Sequence, residues 1–299
     1  MPRLPADPVV RGPAPGAPVD AGRQPGRRTI LRAVVAAGIG VVAGGGAHGY
    51  LYERHRVGVT RFSLPVSGLP EALDGLRIAL LTDFHLTGDA VAHDIEQAVK
   101  LTQAEQPDIV VLGGDYVTLQ NRRFMDPCAQ LLAPLRAPFG VFAVLGNHDD
   151  EYEMPRALRK RGLEVLDDER TSLAIRGETL DLIGLRFWTR QASELARLMR
   201  ADAPSTVLLA HTPSRLPMAT SLNIPLMLCG HTHGGQIVIP GFGPIAARRF
   251  PVIEGMDRFD NTTLFVSRGI GTVYVPCRIN CPPEVAMLTL KRLVHPIQD

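Results

Sequence analysis

The strongest constraint in this 299-residue chain is one pattern met five times: a short apolar run that ends in residues able to bind a metal ion. Residues 76–81 lead into Asp83-Phe84-His85, residues 109–112 into Gly114-Asp115, and residues 141–145 into Gly146-Asn147-His148-Asp149. Residues 207–210 then lead into His211, and residues 226–229 into Gly230-His231-Thr232-His233. Apolar runs of this length, bounded by glycine and polar residues, read as buried strands. Helical patterns at 94–106 and 125–135 separate the first three, which predicts an α/β chain with a largely parallel sheet covered by helices. In open sheets of that class ligands sit beyond the carboxyl ends of the strands, where all five polar segments fall. They are therefore expected to meet in space.

The residue types say what they would do there. Asp, Asn and His offer hard oxygen and borderline nitrogen donors, a set that suits Mn, Fe, Zn or a mixed pair, with Mn favoured. Two such ions roughly 3.5–4 Å apart clamp a phosphoryl group and activate a water molecule. Asp115, between the two other groups of donors in sequence, is the natural bridging carboxylate. His148, beside Asn147, is placed to face the phosphate and either stabilise the transition state or protonate the leaving oxygen. Any one segment is weak, because Gly-Asn marks turns and short patterns recur by chance. The joint pattern carries the reading. His48, His55, His93 and His295 lie outside it and are expected to be solvated or locally bonded.

The five segments together resemble the calcineurin-like metallophosphoesterase superfamily. The string from Gly230 to Gln236, with residues 267–271 and the Pro282-Pro283-Glu284 ending, is similar to its exported bacterial branch of YkuE-like phosphodiesterases. The resemblance runs from about Arg77 to Leu290. It implies a four-layer αββα sandwich, with residues 236–239, 263–266 and 285–290 completing the second sheet. It also implies that Asp83, His85, Asp115 and His233 hold one ion, that Asp115, Asn147, His211 and His231 hold the other, and that His148 is catalytic. Purple acid phosphatases of the superfamily place a tyrosine three residues after the bridging aspartate. Here that position is Thr118, so their coloured iron site is not expected. In the segment Gly184-Leu185-Arg186-Phe187-Trp188 relatives often carry acidic residues. Arg186 or Trp188 as a substrate contact and a packed Phe187 with a solvent-facing Arg186 are equal readings. Phe242, Phe250 and Arg268 are candidates for the pocket wall.

The N-terminus bears on location. Residues 1–25, rich in Pro, Gly and Ala without apolar period, are expected to be disordered. The paired arginines Arg27-Arg28 precede an uncharged stretch at 33–47, which looks like a twin-arginine export signal engaging that machinery, either cleaved near Ala47 or kept as a membrane anchor. A cytoplasmic protein with a basic tail is the alternative. Residues 1–56 are thus read as tail plus signal or anchor, and 57–299 as one catalytic domain entered by an extended stretch, where Pro65 and Pro70 argue against helix.

Residues 1–32 hold six Arg and two Asp, so the rest of the chain carries −2 of the total charge of +2. No run of the body is basic enough for a nucleic-acid groove, and nucleic acid is not an expected partner. Arg122-Arg123 and Arg248-Arg249 are isolated pairs, read as solvated or as phosphate contacts. Cys277 and Cys281 are close enough in sequence to bridge, but spacing does not decide it.

The expected function is hydrolysis of a phosphodiester or pyrophosphate bond in an envelope-related substrate, lipid- or cell-wall-linked. A broad phosphomonoesterase and a cyclic-nucleotide phosphodiesterase are the rivals in class. A non-catalytic scaffold of the same fold would have lost ligands, and none is missing.

Overall fold

In the computed structural model, residues 27–200 and 205–293 are described. The expected disordered tail, residues 1–25, lies outside them. The chain divides into two compact units, up to Ala43 and from Gly44 onward. Helix α1 (Arg27–Leu51) begins in the first. By length and composition, residues Val34–His55 are apolar enough to cross a membrane.

The second unit is built on two six-stranded sheets. Its strands in chain order are β1 (Gly58–Val66), β2 (Arg77–Leu81), β3 (Ile109–Leu112), β4 (Val141–Ala143), β5 (Glu164–Val165), β6 (Glu169–Ile175), β7 (Glu178–Leu185), β8 (Thr206–Ala210), β9 (Leu226–Cys229), β10 (Val238–Ile239), β11 (Gly243–Pro244), β12 (Gly255–Phe259), β13 (Thr262–Val266) and β14 (Glu284–Arg292). The first sheet has the order β1-β14-β2-β3-β4-β5 and the second β12-β13-β9-β8-β7-β6. The helices are α2 (Asp89–Glu105), α3 (Met125–Leu132), α4 (Glu153–Lys160), α5 (Ala192–Leu198) and α6 (Leu216–Ser221).

Strand alternation explains the layering. In β2, Ile78 and Leu80 face the second sheet and join Leu182, Leu209, Leu228 and Phe265 in a central core. Ala79 and Leu81 point the other way, into a core shared with Ile95, Cys128 and Leu158 of α2, α3 and α4. Leu208, Met227 and Leu264 of the second sheet meet Leu195 and Ala219 of α5 and α6 in a third core. Opposite faces of one strand thus feed different layers, as a period of two dictates. The result is the αββα sandwich.

Two expectations need correction. Residues 285–290 do not complete the second sheet: β14 lies inside the first, parallel to β1 and antiparallel to β2. Both faces of β14 are apolar, Val285 and Met287 toward the helices and Ala286, Leu288 and Leu290 toward the central core. Only an interior strand buries both. Residues 236–239 do not join the second sheet either, since β10 pairs with β11 in a separate two-stranded ribbon. The entry segment around Pro65 is itself a strand, β1, at the sheet edge, where a missing N–H is tolerated.

Candidate metal centre

The segments expected to bind metal leave the carboxyl ends of β2, β3, β4, β8 and β9, and the two sheets bring them to one cleft. Asp83, His85 and His233 have donor atoms within 4.8 Å of one another, and so do Asp115, His211 and His231. All but His231 are buried. Five of the seven expected ligands, Asp83, His85, Asp115, His231 and His233, hold φ between 45° and 72°. A non-glycine residue in that region costs on the order of 1–3 kcal/mol, and such strain gathers where function over-determines the backbone. The chain thus turns sharply where it leaves β2, β3 and β9.

Glycines make room for these turns. A Cβ on Gly146 would strike the Asp115 carboxylate, and one on Gly230 would strike Asp83 and Thr82. The motif glycines are therefore required by close approach.

Asp115 stands between the two groups. Its Oδ1 accepts the His148 backbone N–H at 2.8 Å, and its Oδ2 lies 3.5 Å from Nε2 of His85 and 3.2 Å from Nε2 of His211. Asp83 accepts the His231 backbone N–H at 3.0 and 3.1 Å and lies 3.5 Å from Nε2 of His233. His211 donates its Nδ1–H to Gly113 O at 2.8 Å, which directs Nε2 inward toward Asp115. Such a carbonyl partner is the usual orienting bond of a metal-ligating histidine. His85 Nδ1 pairs with Thr118 Oγ1 at 3.2 Å, so the threonine at the purple-phosphatase tyrosine position orients an imidazole instead.

The donor set fits a pair of divalent ions. Nε2 of His85 faces Nε2 of His233 at 3.1 Å, and Nδ1 of His231 faces Nε2 of His211 at 3.1 Å. Two nitrogen lone pairs at that spacing need a cation or a proton between them. Oδ1 of Asn147 is buried and has no hydrogen-bond partner. A buried amide oxygen without a donor costs about 1–3 kcal/mol, and coordination would satisfy it.

The electrostatics agree. Burial, with His148 adding, lowers His85 to about 4, and burial with the neighbouring His211 lowers His231 to about 3. Burial holds His233 well below its usual value. These imidazoles are neutral at pH 7, the form a metal takes. Burial alone would lower His211, but the charge and hydrogen bond of Asp115 prevail and raise it to about 10. Burial pushes Asp115 up in turn, yet His211 and His85 outweigh it and keep the carboxyl ionised. Burial and the Asp115 charge raise Asp83 to about 6.

His148 is buried beside this cluster, its ring edge-on to His85 at 5.0 Å. Its Nδ1 accepts the Leu119 backbone N–H at 3.1 Å, so a neutral His148 carries its proton on Nε2. Asp149, part of the motif but given no role from sequence, proves to be a keystone. Its carboxylate accepts N–H donors from Asp115, Tyr116 and Gly146, each at 2.8 Å. Its place directly after His148 was the available signal.

A cavity of about 580 Å³ opens over the cluster. Its floor includes Asp115, Asn147, His148, His231 and His233, and its wall Ile237, Arg248, Arg249, Phe250, Val273 and Tyr274. Phe250 is a lining residue as expected; its ring stands 5.4 Å from His231. Phe242 lies outside the lining, and Arg268 is held by Glu284 at 2.8 Å. Arg186 is partly open to solvent and pairs with Asp168 at 3.0 Å. Phe187 packs near His211 and His231, 6.0 Å from each ring. Arg122 is paired with Asp150 at 2.9 Å. The four cysteines are buried and unbridged.

The chain is 30% identical to the uncharacterized metallophosphoesterase YkuE of Bacillus subtilis over 89% of its own length and 97% of that protein's. It is 32% identical to the phosphodiesterase YaeI of Escherichia coli, covering 72% of this chain and 82% of the relative. It is 27% identical to a transmembrane protein with a metallophosphoesterase domain from Danio rerio, over 89% of this chain and 63% of the fish protein. Residues 76–235, the stretch from β2 through the last two histidines of the cluster, match the calcineurin-like phosphoesterase family. With a family match over half its length and the B. subtilis likeness over nearly all of it, the chain belongs to the calcineurin-like phosphoesterases.

Proposed function

We propose that the protein is a phosphodiesterase working with two divalent ions, Mn favoured. Asp83, His85 and His233 would hold one, Asn147, His211 and His231 the other, and Asp115 both. The observation that carries this reading is the Asp115 carboxylate: one oxygen is pinned by a backbone N–H while the other lies within 3.5 Å of imidazoles from both groups. When bound, such ions supply charge neutralisation and an activated water.

The chain's own residues supply the rest. His148 donates its Nε2–H to the departing oxygen, and the Leu119 N–H at Nδ1 keeps that tautomer ready. Arg248 and Arg249 on the cavity wall offset the phosphate charge. A diester carries a second substituent that stays attached after cleavage, and the wall of Ile237, Phe250 and Val273 gives it an apolar seat. The E. coli relative's name, a phosphodiesterase, supports the same class. The Arg27-Arg28 pair, the apolar stretch Val34–His55 and the transmembrane fish relative support export by the twin-arginine route or anchoring at the envelope, with an envelope phosphoester as substrate.

The test is hydrolysis of an aryl phosphodiester beside its monoester by the full chain with Mn²⁺, with Asp115→Ala as control. Diester turnover that vanishes in the control is the expected result. Preference for the monoester would replace this reading with a phosphatase, and no turnover with metal bound would replace it with a scaffold.

A further inference from the structure

The apolar side chains around the cavity mouth are exposed and belong to one continuous piece of structure. Ile239, Phe242 and Ile245 lie on or beside the β10–β11 ribbon, and Tyr274 and Val275 lie on the loop next to it. The two pieces are laced together. The Gln236 amide donates to Val273 O and Val275 O at 3.3 and 2.6 Å and accepts from Val273 N at 2.9 Å. Val238 N donates to Ile279 O at 2.9 Å and Ile279 N to Gln236 O at 3.0 Å. Single exposed hydrophobics are ordinary, but a group of them joined at the rim of a pocket marks an interaction surface. Tyr274 is 82% exposed with φ at 59°, a strained setting for a ring left in water.

The same strap receives the end of the apolar helix. Arg278 N donates to Gly49 O at 3.2 Å, Cys277 Sγ lies 3.9 Å from Gly46 O, and Cys281 N donates to the Glu53 carboxylate at 2.8 Å. A Cβ on Gly49 would overlap Cys277 and Arg278. The chain that is long and apolar enough to cross a bilayer thus runs straight into the segment carrying the rim. Aromatic rings under arginine recur at both places: Arg54 stacks on Tyr50 and Arg56 on Tyr52 at the helix end, Arg248 on Phe242 at the rim. Aromatic rings sit at the headgroup level of a membrane, and arginine is drawn to anionic headgroups.

We propose that the cavity rim, Ile239, Phe242, Ile245, Tyr274 and Val275 flanked by Arg248 and Arg249, is a docking surface for an anionic lipid bilayer, seated there by the helix end packed on the same strap. Docking opens the cavity toward the headgroup layer. The surface stands apart from the catalytic reading, because it requires only the exposed rim and its tether.

The test uses the full chain in mixed phosphatidylcholine and phosphatidylglycerol vesicles, with Phe242→Cys carrying an environment-sensitive fluorophore and Lys160→Cys, at the exposed last residue of α4, as the control position. The native thiols are buried and do not compete. Expected is a blue shift at 242 with quenching by a lipid-borne quencher and none at 160, and Ile239→Asp should shrink the shift while aryl diester turnover stays unchanged. A label at 242 that remains water-like while the chain sediments with vesicles overturns the proposal. Shielding that grows with protein concentration in the absence of vesicles also overturns it, in favour of contact between copies.

Discussion

The backbone N–H of His148 donates to Oδ1 of Asp115 at 2.8 Å, so the proposed catalytic histidine and the proposed bridging carboxylate are fixed relative to one another by main chain. Oδ1 takes that bond, and Oδ2 is the oxygen that lies within 3.5 Å of imidazoles from both groups.

Asp115→Asn keeps the side-chain shape and an oxygen for His148 N–H, but turns an amide toward His85 and His211 and removes the charge. Metal content measured by mass spectrometry should fall below two ions per chain, with affinity down by more than the ~10–100-fold typical of an orienting partner. Circular dichroism should remain that of the parent.

His148→Ala removes a proton donor and no ligand. Turnover should drop roughly 10²–10⁴-fold while two ions stay bound. Loss of metal in this variant would move His148 into the ligand set.

Asp149→Asn leaves one oxygen for three converging N–H donors and turns an NH₂ toward the others. Each buried donor left unsatisfied costs about 1–3 kcal/mol. Thermal unfolding in chelator, where metal cannot contribute, should show that loss directly, and a variant as stable as the parent would refute the keystone role.

Metal affinity should rise with pH. The Asp83 carboxyl, raised to about 6, holds a proton below that pH which a metal must displace. The His211 imidazole, raised to about 10, holds one throughout the neutral range. Affinity gains about tenfold per pH unit for each proton released, so the slope should steepen below pH 6. Calorimetry in buffers of differing ionisation enthalpy counts the protons, and a pH-independent affinity would exclude Asp83 and His211 as ligands.

Much of this was legible because each donor follows a strand whose apolar run is unbroken in sequence, as at residues 109–112 before Asp115. Strand-end position is local information. The partner of β14 is not, since its residues alternate between two cores and either sheet could have taken them. Asp149 was hidden for a similar reason: two of its three donors lie 33 and 34 residues away, and its place after His148 does not by itself distinguish an acceptor from a solvent-facing carboxylate. The rim was invisible because residues 237–245 and 273–279, well apart in sequence, meet through the Gln236 amide and the Val238–Ile279 hydrogen bond.

Asp83, Asp115 and Asn147 come from the first sheet, whereas His211, His231 and His233 come from the second. The proposed ions would therefore rivet the two halves of the sandwich across their seam, so that parting the sheets means giving up metal. Loading with metal would then act as a check on folding, since a chain whose sheets met in the wrong register could not bring the two sets of donors together.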